Sequence, residues 1–452
     1  MNPNKHFITI GAGPVGLSIS MLLQEKGHEI SIFEKRSDPR IFTDHGRSIN
    51  LALSDRGFRT LELLGLEGKI KSHYSIAMKG RMIHDEDGHT QLQPYSAEEK
   101  CIYSVSRSLL NNILLDEAEK RQIKIQFEQK CLNYDSKSDI IQFENQTVST
   151  ANKQILATDG AFSPLRNTLK SQAYFQHIET KLDYGYKEFT IPNGEKNSWQ
   201  MEKHALHIWP RKSFMLIALP NLDGSFTCTL FLKSSVVSQK SLVKNNEPSF
   251  ESLCNPIVGR TFFQKYFADA LSLMPNFENE LLNNPTSTLF METCSPWNLD
   301  EKLILLGDAA HAIVPFYGQG LNAGLEDVRI LAEMIESQHP FAQFQKHRKP
   351  DTDAISELAL QNFIEMRDLV TDKMFLKKRA LESVLKKLYG KKWTTQYELV
   401  TFSQIAYSIA QNTGIENNKK IEIILENELL TNHLLNDNAT EQDMILLSSI
   451  VL

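Results

Sequence analysis

The sequence predicts an α/β protein in which a Rossmann-like domain is interrupted by a mixed β-sheet and followed by a helical C-terminal region. Three observations support this fold class. The segment 8–22, "ITIGAGPVGLSISML", passes from an apolar strand through a glycine-rich turn into an apolar helical pattern. The segments 155–166, "ILATDGAFSPLR", and 303–324, "LILLGDAAHAIVPFYGQGLNAG", each begin with a strand that ends near an aspartate. Strands that alternate with helical segments in this way are typical of a parallel sheet.

The first turn has the spacing of a dinucleotide-binding βαβ unit. Gly11, Gly13 and Gly16 lie between the strand "HFITI" and a helix that ends near Gly27, and Glu34 follows Gly16 by 18 positions. Gly11 is expected to make the tight turn, Gly13 to let the backbone approach a pyrophosphate, and Gly16 to allow close packing of helix on strand. Glu34 is expected to bind the adenosine ribose. A structural glycine turn is the alternative, and the motif alone does not separate FAD from NAD.

The two later segments distinguish between these cofactors. Asp159 and Asp308 each follow a strand, where an aspartate can bind a ribityl hydroxyl, although Asp159-Gly160 also fits an ordinary turn. A helix that begins near Gly320 would direct its N–H groups at the flavin edge where negative charge develops on reduction. Together with the glycine-rich turn, these segments resemble the FAD-dependent aromatic hydroxylases of the para-hydroxybenzoate hydroxylase type. The resemblance implies FAD as cofactor and a GR2-type FAD-binding domain.

Other segments resemble one family of this group, the kynurenine 3-monooxygenases. The resemblance covers most of residues 1–410 but not the last forty or so residues. It implies hydroxylation of L-kynurenine to 3-hydroxy-L-kynurenine with NADPH and O2 through a flavin C4a-hydroperoxide, as a step of tryptophan degradation. The segments are "GRSINLALSDRG" (46–57), "KGRMIHDEDGHTQLQPY" (79–95), "YSVSRSLLNNILLDEAEK" (103–120), "LHIWPRKSFMLIALPNLDGSFTCTLF" (206–231), "NFIEMRD" (362–368) and "YELVTFSQIAY" (397–407).

A substrate of this kind carries a carboxylate, for which an arginine and hydroxyl groups are suitable ligands. Arg81 and Tyr95 flank two predicted strands joined by an Asp87-Gly88 turn, and we expect them opposite one another near the base of the hairpin. The resemblance adds Asn362 and Tyr397 to this carboxylate clamp, whereas an asparagine in a long helical pattern by itself suggests a solvated face. The acidic tip "HDEDGH" is interpreted as a solvated turn and not as a metal site.

An apolar slot for the aromatic ring is expected beside this clamp. "HALHIWPRKSFMLIALPN" and "SFTCTLFL" have the alternation of adjacent strands. Core packing is the default role of their apolar side chains, and the resemblance assigns four of them to the slot. Phe316 and Tyr317 are expected to shape the site beside the flavin, and Tyr317 departs from the phenylalanine pair that is commoner in the family. The four slot residues are Leu206, Ile217, Leu219 and Phe231.

The flavin carries the chemistry, so no catalytic side chain is assigned. His311 lies in the loop beside the flavin, where packing beneath the loop is favoured over a role as a base. The resemblance also implies that Arg107 contacts FAD and that Leu132 lines the adenine side. It places further FAD contacts at Val15, Lys35, Arg36, Ala52, Leu321 and Asn322.

Two alternatives to this function stay open on the residues alone. The clamp would also suit a related flavin hydroxylase of another aromatic carboxylate. A catalytically inactive flavin-binding homologue would retain the same motifs. A flavin halogenase is disfavoured because the sequence has no WxWxIP segment.

The resemblance and the strand pattern together suggest a discontinuous domain organisation. Residues 1–75, 101–180 and 296–335 are expected to form the FAD-binding domain. The hairpin 76–100 and the segment 181–295 are expected to form the substrate domain, followed by a helical region over 336–452.

Composition excludes several other classes of protein. The formal net charge of −6 argues against general nucleic-acid binding. Five scattered cysteines without a CxxC pair fit a reducing cytoplasm and suggest neither a disulfide framework nor a zinc site. We expect no signal peptide and no membrane span, a cytoplasmic, bacterial-type enzyme, and a monomer or homodimer.

Overall fold

A computed structural model of the chain describes residues 4–41, 50–96, 98–234, 248–369 and 372–451. The first four residues of the segment 46–57, which contributed to the resemblance, lie outside these ranges. Up to residue 168 the helices and strands are β1 (His6–Ile10), α1 (Pro14–Glu25), β2 (Glu29–Phe33), β3 (Asn50–Leu53), α2 (Asp55–Leu63), α3 (Glu67–His73), β4 (Ile76–Met78), β5 (Gly80–His84), β6 (Thr90–Pro94), β7 (Ile102–Ser106), α4 (Arg107–Lys120), β8 (Lys124–Gln126), β9 (Cys131–Asp135), β10 (Ile140–Phe143), β11 (Thr147–Ser149), β12 (Lys153–Ala157) and α5 (Pro164–Thr168).

The rest of the chain supplies the remainder of both large sheets and the C-terminal helices. A π-helical turn, Glu365–Leu369, follows α10. The elements are β13 (Gln176–Ile191), β14 (Ala205–Arg211), β15 (Phe214–Pro220), β16 (Phe226–Lys233), α6 (Pro256–Tyr266), α7 (Ala268–Leu271), α8 (Phe277–Asn283), β17 (Ser287–Ser295), β18 (Asn298–Leu299), β19 (Leu303–Leu305), α9 (Gly320–Glu336), α10 (Phe341–Ile364), α11 (Lys373–Tyr389), α12 (Gln396–Thr401), α13 (Tyr407–Glu426), α14 (Glu428–Leu435) and α15 (Glu441–Val451).

The first large sheet has the strand order β18-β19-β12-β1-β2-β8 within the described ranges. All its pairs are parallel except β18 with β19. The carboxyl ends of β1, β2, β12 and β19 therefore meet at one edge, directly before Gly11, Glu34, Asp159 and Asp308. This edge is where open parallel sheets bind nucleotides, and the predicted Rossmann-like fold class is confirmed.

The second large sheet is mixed and has the strand order β17-β13-β16-β15-β14-β5-β6 in the described part of the chain. Its neighbours are antiparallel except β14 with β5. "HALHIWPRKSFMLIALPN" forms two of its strands, β14 and β15, because the chain reverses at Lys212, where φ is +58°. The strand β13 begins at Gln176 and crosses the expected domain boundary at residue 181.

The two faces of this sheet pack against different parts of the chain. On one face, Trp209, Leu216 and Leu230 pack with apolar side chains of α6, α7 and α8. On the other face, Ile208 and Phe231 pack with loop 307–319 and α10. The second face, which also carries Leu206 and Ile217, is thus turned toward the nucleotide-binding half of the molecule.

The hairpin β5–β6 extends the mixed sheet at its edge, but its register differs from the expected one. Arg81 pairs with Gln93, and Gly80 pairs with Pro94. The expectation that Arg81 and Tyr95 would be opposite was wrong by two residues, because the turn between Asp85 and His89 is centred on Asp87, so that residues equidistant from Asp87 are paired. Tyr95 follows the end of β6, where its amide donates to the carbonyl of Lys79 at 3.0 Å.

The C-terminal helices form two apolar clusters of their own. Ile355 and Leu358 of α10 pack with Val400 of α12 and Tyr407 of α13. The last helices enclose a separate core that includes Leu381, Leu385, Trp393, Ile421, Ile424 and Leu447. The segment that did not share the resemblance is thus helical in its described part, which completes the predicted C-terminal region.

A buried ionic network joins this helical region to the first domain. On α9, Asp327 accepts hydrogen bonds from Arg348 Nε at 2.9 Å and from the amide of Gly307 at 3.2 Å, and its Oδ2 lies 2.6 Å from His311 Nε2. The neighbouring Glu326 contacts Arg348 Nη1 at 3.0 Å and Arg56 Nη1 at 2.6 Å. The five side chains are nearly inaccessible to solvent, so each charge relies on its partners.

We predict that Asp327→Asn destabilises the protein strongly. The substitution leaves Arg348 and His311 buried without their central anion, and breaking such a pair costs about 3–5 kcal/mol. Urea unfolding followed by tryptophan fluorescence measures the loss. The matched control is Glu333→Gln on the same helix, which breaks the exposed contact with Arg329 at 3.1 Å and is expected to cost about 1 kcal/mol or less. Equal losses in the two variants would contradict the prediction.

Candidate functional site

The turn between β1 and α1 has the geometry that the glycine spacing predicts. Gly11 adopts φ +104°, and a Cβ there would lie 2.5 Å from the carbonyl oxygen of Thr158. A Cβ on Gly16 would lie 2.1 Å from the carbonyl oxygen of Gly11, so helix and strand pack too closely for any side chain. Gly13, the N-cap residue of α1, instead faces open space, with no described atom within 4 Å of its Cβ position. An anion can therefore approach the free amides of this helix N-terminus.

Glu34 lies at the end of β2 beside this turn. Its carboxylate accepts hydrogen bonds from the amide of Ala12 at 2.8 Å and from the amide and Nε of Arg36 at 3.0 and 2.8 Å. Burial raises the pKa of Glu34, but the hydrogen bonds and charge of Arg36 outweigh it and leave the pKa below its ordinary value. The ionised carboxylate retains about one of its four or so acceptor positions for a ribose hydroxyl.

Asp159 follows β12 at the same edge. Its Oδ1 is buried and has no hydrogen-bond partner among the described residues, while Oδ2 accepts from the amide of Leu165 at 3.4 Å. Burial raises the pKa of Asp159 to about 6. A buried carboxylate oxygen without a donor is costly, and the hydroxyl of a bound ligand would satisfy it.

Arg166 connects this motif to the third one. It contacts both carboxylate oxygens of Glu292 on β17, at 2.7 and 2.8 Å, and donates to the carbonyl of Ala309 at 3.1 Å. Asp308, beside Ala309, is exposed at the sheet edge. The buried ion pair thus fixes the position of Asp308 relative to Asp159, although the sequence indicates only that each follows a strand.

The helix α9 begins at Gly320, as predicted, and its N-terminus approaches the glycine-rich turn. Val15 of α1 packs against Gly307 and Gly324, where an added Cβ would lie 3.2 and 2.8 Å from Val15 Cγ2. Leu321 packs against the core of the first domain. The first turn of α9 and the first turn of α1 therefore face the same space.

Asn322 and Ala52 have a different relation from the expected one. Asn322 Nδ2 donates to the carbonyls of Ala52 and Gly318, each at 2.8 Å, and its Oδ1 accepts from the amide of Ser54 at 3.0 Å. The side chain thus holds β3 against α9, and the contacts of Asn322 and Ala52 with FAD stay predictions.

The remaining expected FAD contacts are on the surface. Lys35, Arg36 and Arg107 are exposed, and Leu132 on β9 is 40% exposed. Arg107 is the first residue of α4, whose N-cap Ser106 accepts from the amide of Leu109. The geometry around these residues does not test their contact with a cofactor, so these roles stay predictions.

Arg81, Tyr95 and Tyr397, three of the four residues expected to form the carboxylate clamp, come together at the edge of the mixed sheet. The rings of Tyr95 and Tyr397 stack with centroids 5.4 Å apart, and the guanidinium carbon of Arg81 lies 5.1 Å from the Tyr397 centroid and 5.8 Å from that of Tyr95. Arg81 Nε and the Tyr95 hydroxyl are buried and make no hydrogen bond to the described part of the chain. A cation and a hydroxyl with unused hydrogen-bonding capacity are suited to an anionic ligand.

Tyr317 extends this cluster toward loop 307–319. Its ring stacks on Tyr397 with centroids 5.7 Å apart, so Tyr95, Tyr397 and Tyr317 form a column of three rings. Burial raises the pKa of all three hydroxyls above the ordinary value, and the charge of Arg81 only partly opposes this. The hydroxyls therefore stay protonated and can donate hydrogen bonds at neutral pH.

The residues expected to line the apolar slot belong to two packed apolar clusters near Arg81 and Tyr95. The ring centroids of Phe231 and Phe316 are 4.8 Å apart, and Phe316 stacks on Phe363 at 4.2 Å. Leu206 and Ile217 are partly buried and contact both the cluster around Phe316 and a second cluster that contains Tyr95 and Leu219. Of these residues only Phe363 was not expected, although it directly follows Asn362.

Asn362 is buried on α10, so the solvated-face interpretation is wrong. Its Nδ2 donates to the carbonyl of Phe316 at 2.6 Å, and its side chain is 5% exposed. It thereby anchors the loop that carries Phe316 and Tyr317. Whether it also contacts a substrate stays a prediction.

Two polar groups near the site have structural roles. His311 is 3% exposed and bonds to Asp327, in agreement with packing beneath the loop rather than a role as a base. At the hairpin tip, Asp85, Asp87 and His89 place their ligand atoms within 4.8 Å of one another, but all three residues are exposed. Asp85 Oδ1 accepts from the amides of Asp87 and His89 at 2.9 and 2.8 Å, which favours the interpretation as a turn.

The fold and the nucleotide-binding edge define a flavoprotein. The family profile described as FAD binding domain matches residues 6–225 and 275–338 of the chain. The matched ranges include the glycine-rich turn, Glu34, Asp159 and Asp308, and they omit the helical C-terminal region. FAD is thus the cofactor of the site described above.

Curated relatives identify the family within this class. The kynurenine 3-monooxygenase of Cytophaga hutchinsonii is 43% identical over 436 residues, covering 93% of this chain and 94% of that protein. The enzyme of that name from Dictyostelium discoideum is 39% identical and covers 95% of this chain and 98% of that protein. The Flavobacterium psychrophilum enzyme is 38% identical, with 92% of each chain covered. The chain belongs to the kynurenine 3-monooxygenase family.

Solved structures agree at the level of the fold. 2-Methyl-3-hydroxypyridine-5-carboxylic acid oxygenase superposes with a TM-score of 0.63 at 17% identity, covering 83% of this chain and 96% of that one. PqsL of P. aeruginosa, solved in complex with 2-aminobenzoylacetate, superposes with a TM-score of 0.62 at 16% identity, covering 80% and 99%. Among the helices of the described ranges, none combines the length and apolarity required to cross a membrane.

We predict that Gly13→Val removes FAD without unfolding the protein. The new side chain would meet no described protein atom within 4 Å of its Cβ, but it would occupy the approach to the α1 N-terminus. The ratio of flavin to protein absorbance after gel filtration measures retention, and circular dichroism checks the fold. Gly68→Val on α3, where a Cβ also meets nothing within 4 Å, is the matched control and should stay yellow. Full flavin content in Gly13→Val would refute the assignment.

Proposed function

We propose that the protein hydroxylates L-kynurenine to 3-hydroxy-L-kynurenine, using FAD, NADPH and O2. The observation that carries the proposal is the pairing of Arg81 with the Tyr95 and Tyr397 rings, near an apolar cluster that contains Phe231 and Phe316. L-Kynurenine has a carboxylate for the first group and an aniline ring for the second. The names of the relatives support the same substrate.

The geometry divides the chemistry between cofactor and protein. When bound, FAD accepts electrons from NADPH and activates O2 for transfer to the ring. Arg81 and the tyrosine hydroxyls bind the carboxylate, and the slot orients the ring. The aniline nitrogen of the substrate activates the neighbouring ring carbon, so the site does not require a strong base. The buried walls exclude water, which would otherwise promote the release of hydrogen peroxide in place of ring hydroxylation.

Several expected contacts belong to this proposal. Asn362, which anchors the Phe316 carbonyl, would complete the clamp, and Leu206, Ile217 and Leu219 would line the slot. Glu34, Asp159 and Asp308 would bind the hydroxyls of FAD, and Lys35, Arg36, Arg107 and Leu132 would lie along its adenosine half. A cytoplasmic location is proposed with it, supported by five free cysteines, and so is a monomer or homodimer.

Chromatographic product analysis with L-kynurenine, NADPH and oxygen tests the activity. A product with the retention and mass of 3-hydroxy-L-kynurenine supports the proposal. Turnover of another aromatic carboxylate but not of L-kynurenine would mean that the same clamp binds a different substrate. NADPH consumption without any hydroxylated product would favour an inactive flavin-binding homologue.

We predict that Arg81→Met weakens L-kynurenine binding by about tenfold to a hundredfold while FAD stays bound. The loss of a charge-assisted hydrogen bond to a carboxylate costs about 1.5–3 kcal/mol, and Arg81 belongs to the mixed sheet rather than to the nucleotide-binding edge. Titration of the flavin spectrum with substrate measures the affinity. Lys79→Met is the control, because this neighbouring cation is exposed and contacts Glu99 only at 4.0 Å. Unchanged affinity in a yellow Arg81→Met protein would refute the clamp.

We also predict that L-kynurenine accelerates anaerobic FAD reduction by NADPH. Substrate that contacts Arg81, Tyr397 and Asn362 would tie the hairpin β5–β6 to α10 and α12. Because these contacts form only in one arrangement of loop 307–319, they would favour the arrangement in which NADPH can reduce FAD. Stopped-flow absorbance of the flavin measures the rate. A ring analogue without the amino-acid tail should have far less effect. Equal rates with and without L-kynurenine would remove this coupling.

A further inference from the structure

The buried histidines His84 and His207 form a hydrogen-bonded chain on the helix-covered face of the mixed sheet. The carbonyl of Glu202 lies 2.8 Å from His207 Nε2, His207 Nδ1 lies 2.8 Å from His84 Nε2, and His84 Nδ1 lies 2.8 Å from Asp269 Oδ2. Trp209 Nε1 donates to the same Asp269 oxygen at 2.8 Å, and its ring stacks on His84 at 3.9 Å. The two histidines are 5% and 2% exposed.

The partners in this chain determine where the protons lie. Burial lowers the pKa of His207 to about 4, so its ring is neutral at pH 7 and carries one N–H. The Glu202 carbonyl can only accept, which places that N–H on Nε2 and leaves Nδ1 as an acceptor. His84 therefore faces acceptors at both nitrogens, the Asp269 carboxylate and His207 Nδ1. Both nitrogens must donate, and the network assigns an imidazolium to His84.

The charges that face His84 favour this cation. Burial raises the pKa of Asp269, but the hydrogen bonds from His84 and Trp209 outweigh it and leave the pKa below its ordinary value. The carboxylates of Asp85 and Glu86, the next two residues of the hairpin, add negative charge near His84. Arg211 adds positive charge in the same region.

Arg211 and His84 hold the same strand end by different atoms. Arg211 donates to the main-chain carbonyls of His84 at 2.9 Å and Asp85 at 2.8 Å, and its Nε donates to the carbonyl of Tyr266 at 2.8 Å. These bonds fix the backbone. The His84 side chain adds the contact between the strand and α7, through Asp269.

The position of His84 connects the hydrogen-bonded histidines to the expected carboxylate clamp. His84 ends β5, and Arg81 lies three residues earlier on the opposite face of the strand. Four of the five residues of β6, the outer neighbour of β5, are exposed, and the inner neighbour β14 pairs with β5 only through Gly80–Ile83. The end of β5 therefore depends on its side chain and backbone contacts with α7 and β14.

We propose that His84 is a positioning residue for substrate binding: its imidazolium, held between Asp269 and His207, fixes the end of β5 and thereby the place of Arg81. The inference rests on the proposed function, because the expected effect is a change in the affinity for the substrate carboxylate. Without either of the two hydrogen bonds to Asp269 and His207 the strand end would be less firmly held.

The variant His84→Phe keeps an aromatic ring for stacking on Trp209 and removes both donors. We expect the KM for L-kynurenine to rise about threefold to tenfold at neutral pH, with kcat within twofold and FAD content unchanged, as for the loss of one or two hydrogen bonds. His89→Gln at the exposed hairpin tip is the control and should retain the low KM. An unchanged KM in His84→Phe would overturn the positioning role.

A second measurement does not depend on the activity. In the FAD-loaded protein at pH 7, nitrogen-edited NMR should detect one slowly exchanging imidazole with protons on both ring nitrogens, and this signal should be absent from His84→Phe. A neutral His84 ring would overturn the proposal whatever the substrate. Should the enzyme fail to hydroxylate L-kynurenine, the NMR result still stands, so the two failures are distinguishable.

A further variant covers the case in which His84→Phe does not fold. Asp269→Asn removes the carboxylate acceptor from a side chain that is 34% exposed, where substitution is better tolerated. It should raise KM in the same direction and abolish the doubly protonated signal. A doubly protonated His84 that persists in Asp269→Asn with unchanged KM would overturn the proposal as well.

Discussion

The adjacent carboxylates Glu326 and Asp327, on the buried face of α9, tie together the three parts of the molecule that form the site. Asp327 holds the loop with Gly307 and His311, and through Arg348 it holds α10. Glu326 holds Arg56, whose guanidinium donates to carbonyls of Leu399, Val400 and Ile405 around the C-terminal end of α12 and lies 3.9 Å from the Tyr407 ring centroid. Because α12 carries Tyr397, that side chain and loop 307–319 share one buried support.

The parts of the fold that the sequence predicts correctly depend on local chemistry. Gly11 adopts a positive φ and Gly16 packs against the carbonyl oxygen of Gly11 within one short segment, so their spacing alone indicates the turn, although Thr158, which also crowds Gly11, is distant in the sequence. Asp159 and Asp308 follow apolar strands, and the parallel sheet necessarily brings such residues to one edge. Loop 307–319 and α9 are likewise marked by proline, glycine and an amphipathic pattern.

Other features depend on partners that are distant in the chain, and sequence patterns do not indicate them. The register of β5 with β6 follows from a turn held by Asp85 side-chain bonds, and this shifted Tyr95 by two residues. Asn362 has the sequence context of a surface residue, because its hydrogen-bond partner, the carbonyl of Phe316, lies on a distant loop. Arg56, Arg166 and His84 have partners between 123 and 349 residues away, so only the folded chain relates them to the site.

The discontinuity of the nucleotide-binding sheet also governs when it can form. The sheet places β1 beside β12, and β12 beside β19, although these strands come from residues 6–10, 153–157 and 303–305. At a synthesis rate of about 5–20 residues per second, roughly 15–60 s separate the emergence of β1 from that of β19. The strands β1 and β2 can pair with each other early, but β12 and then β19 have to emerge before the sheet is complete. Non-local pairing of this kind slows folding, so the nascent chain has a long period in which chaperones can bind it before FAD can.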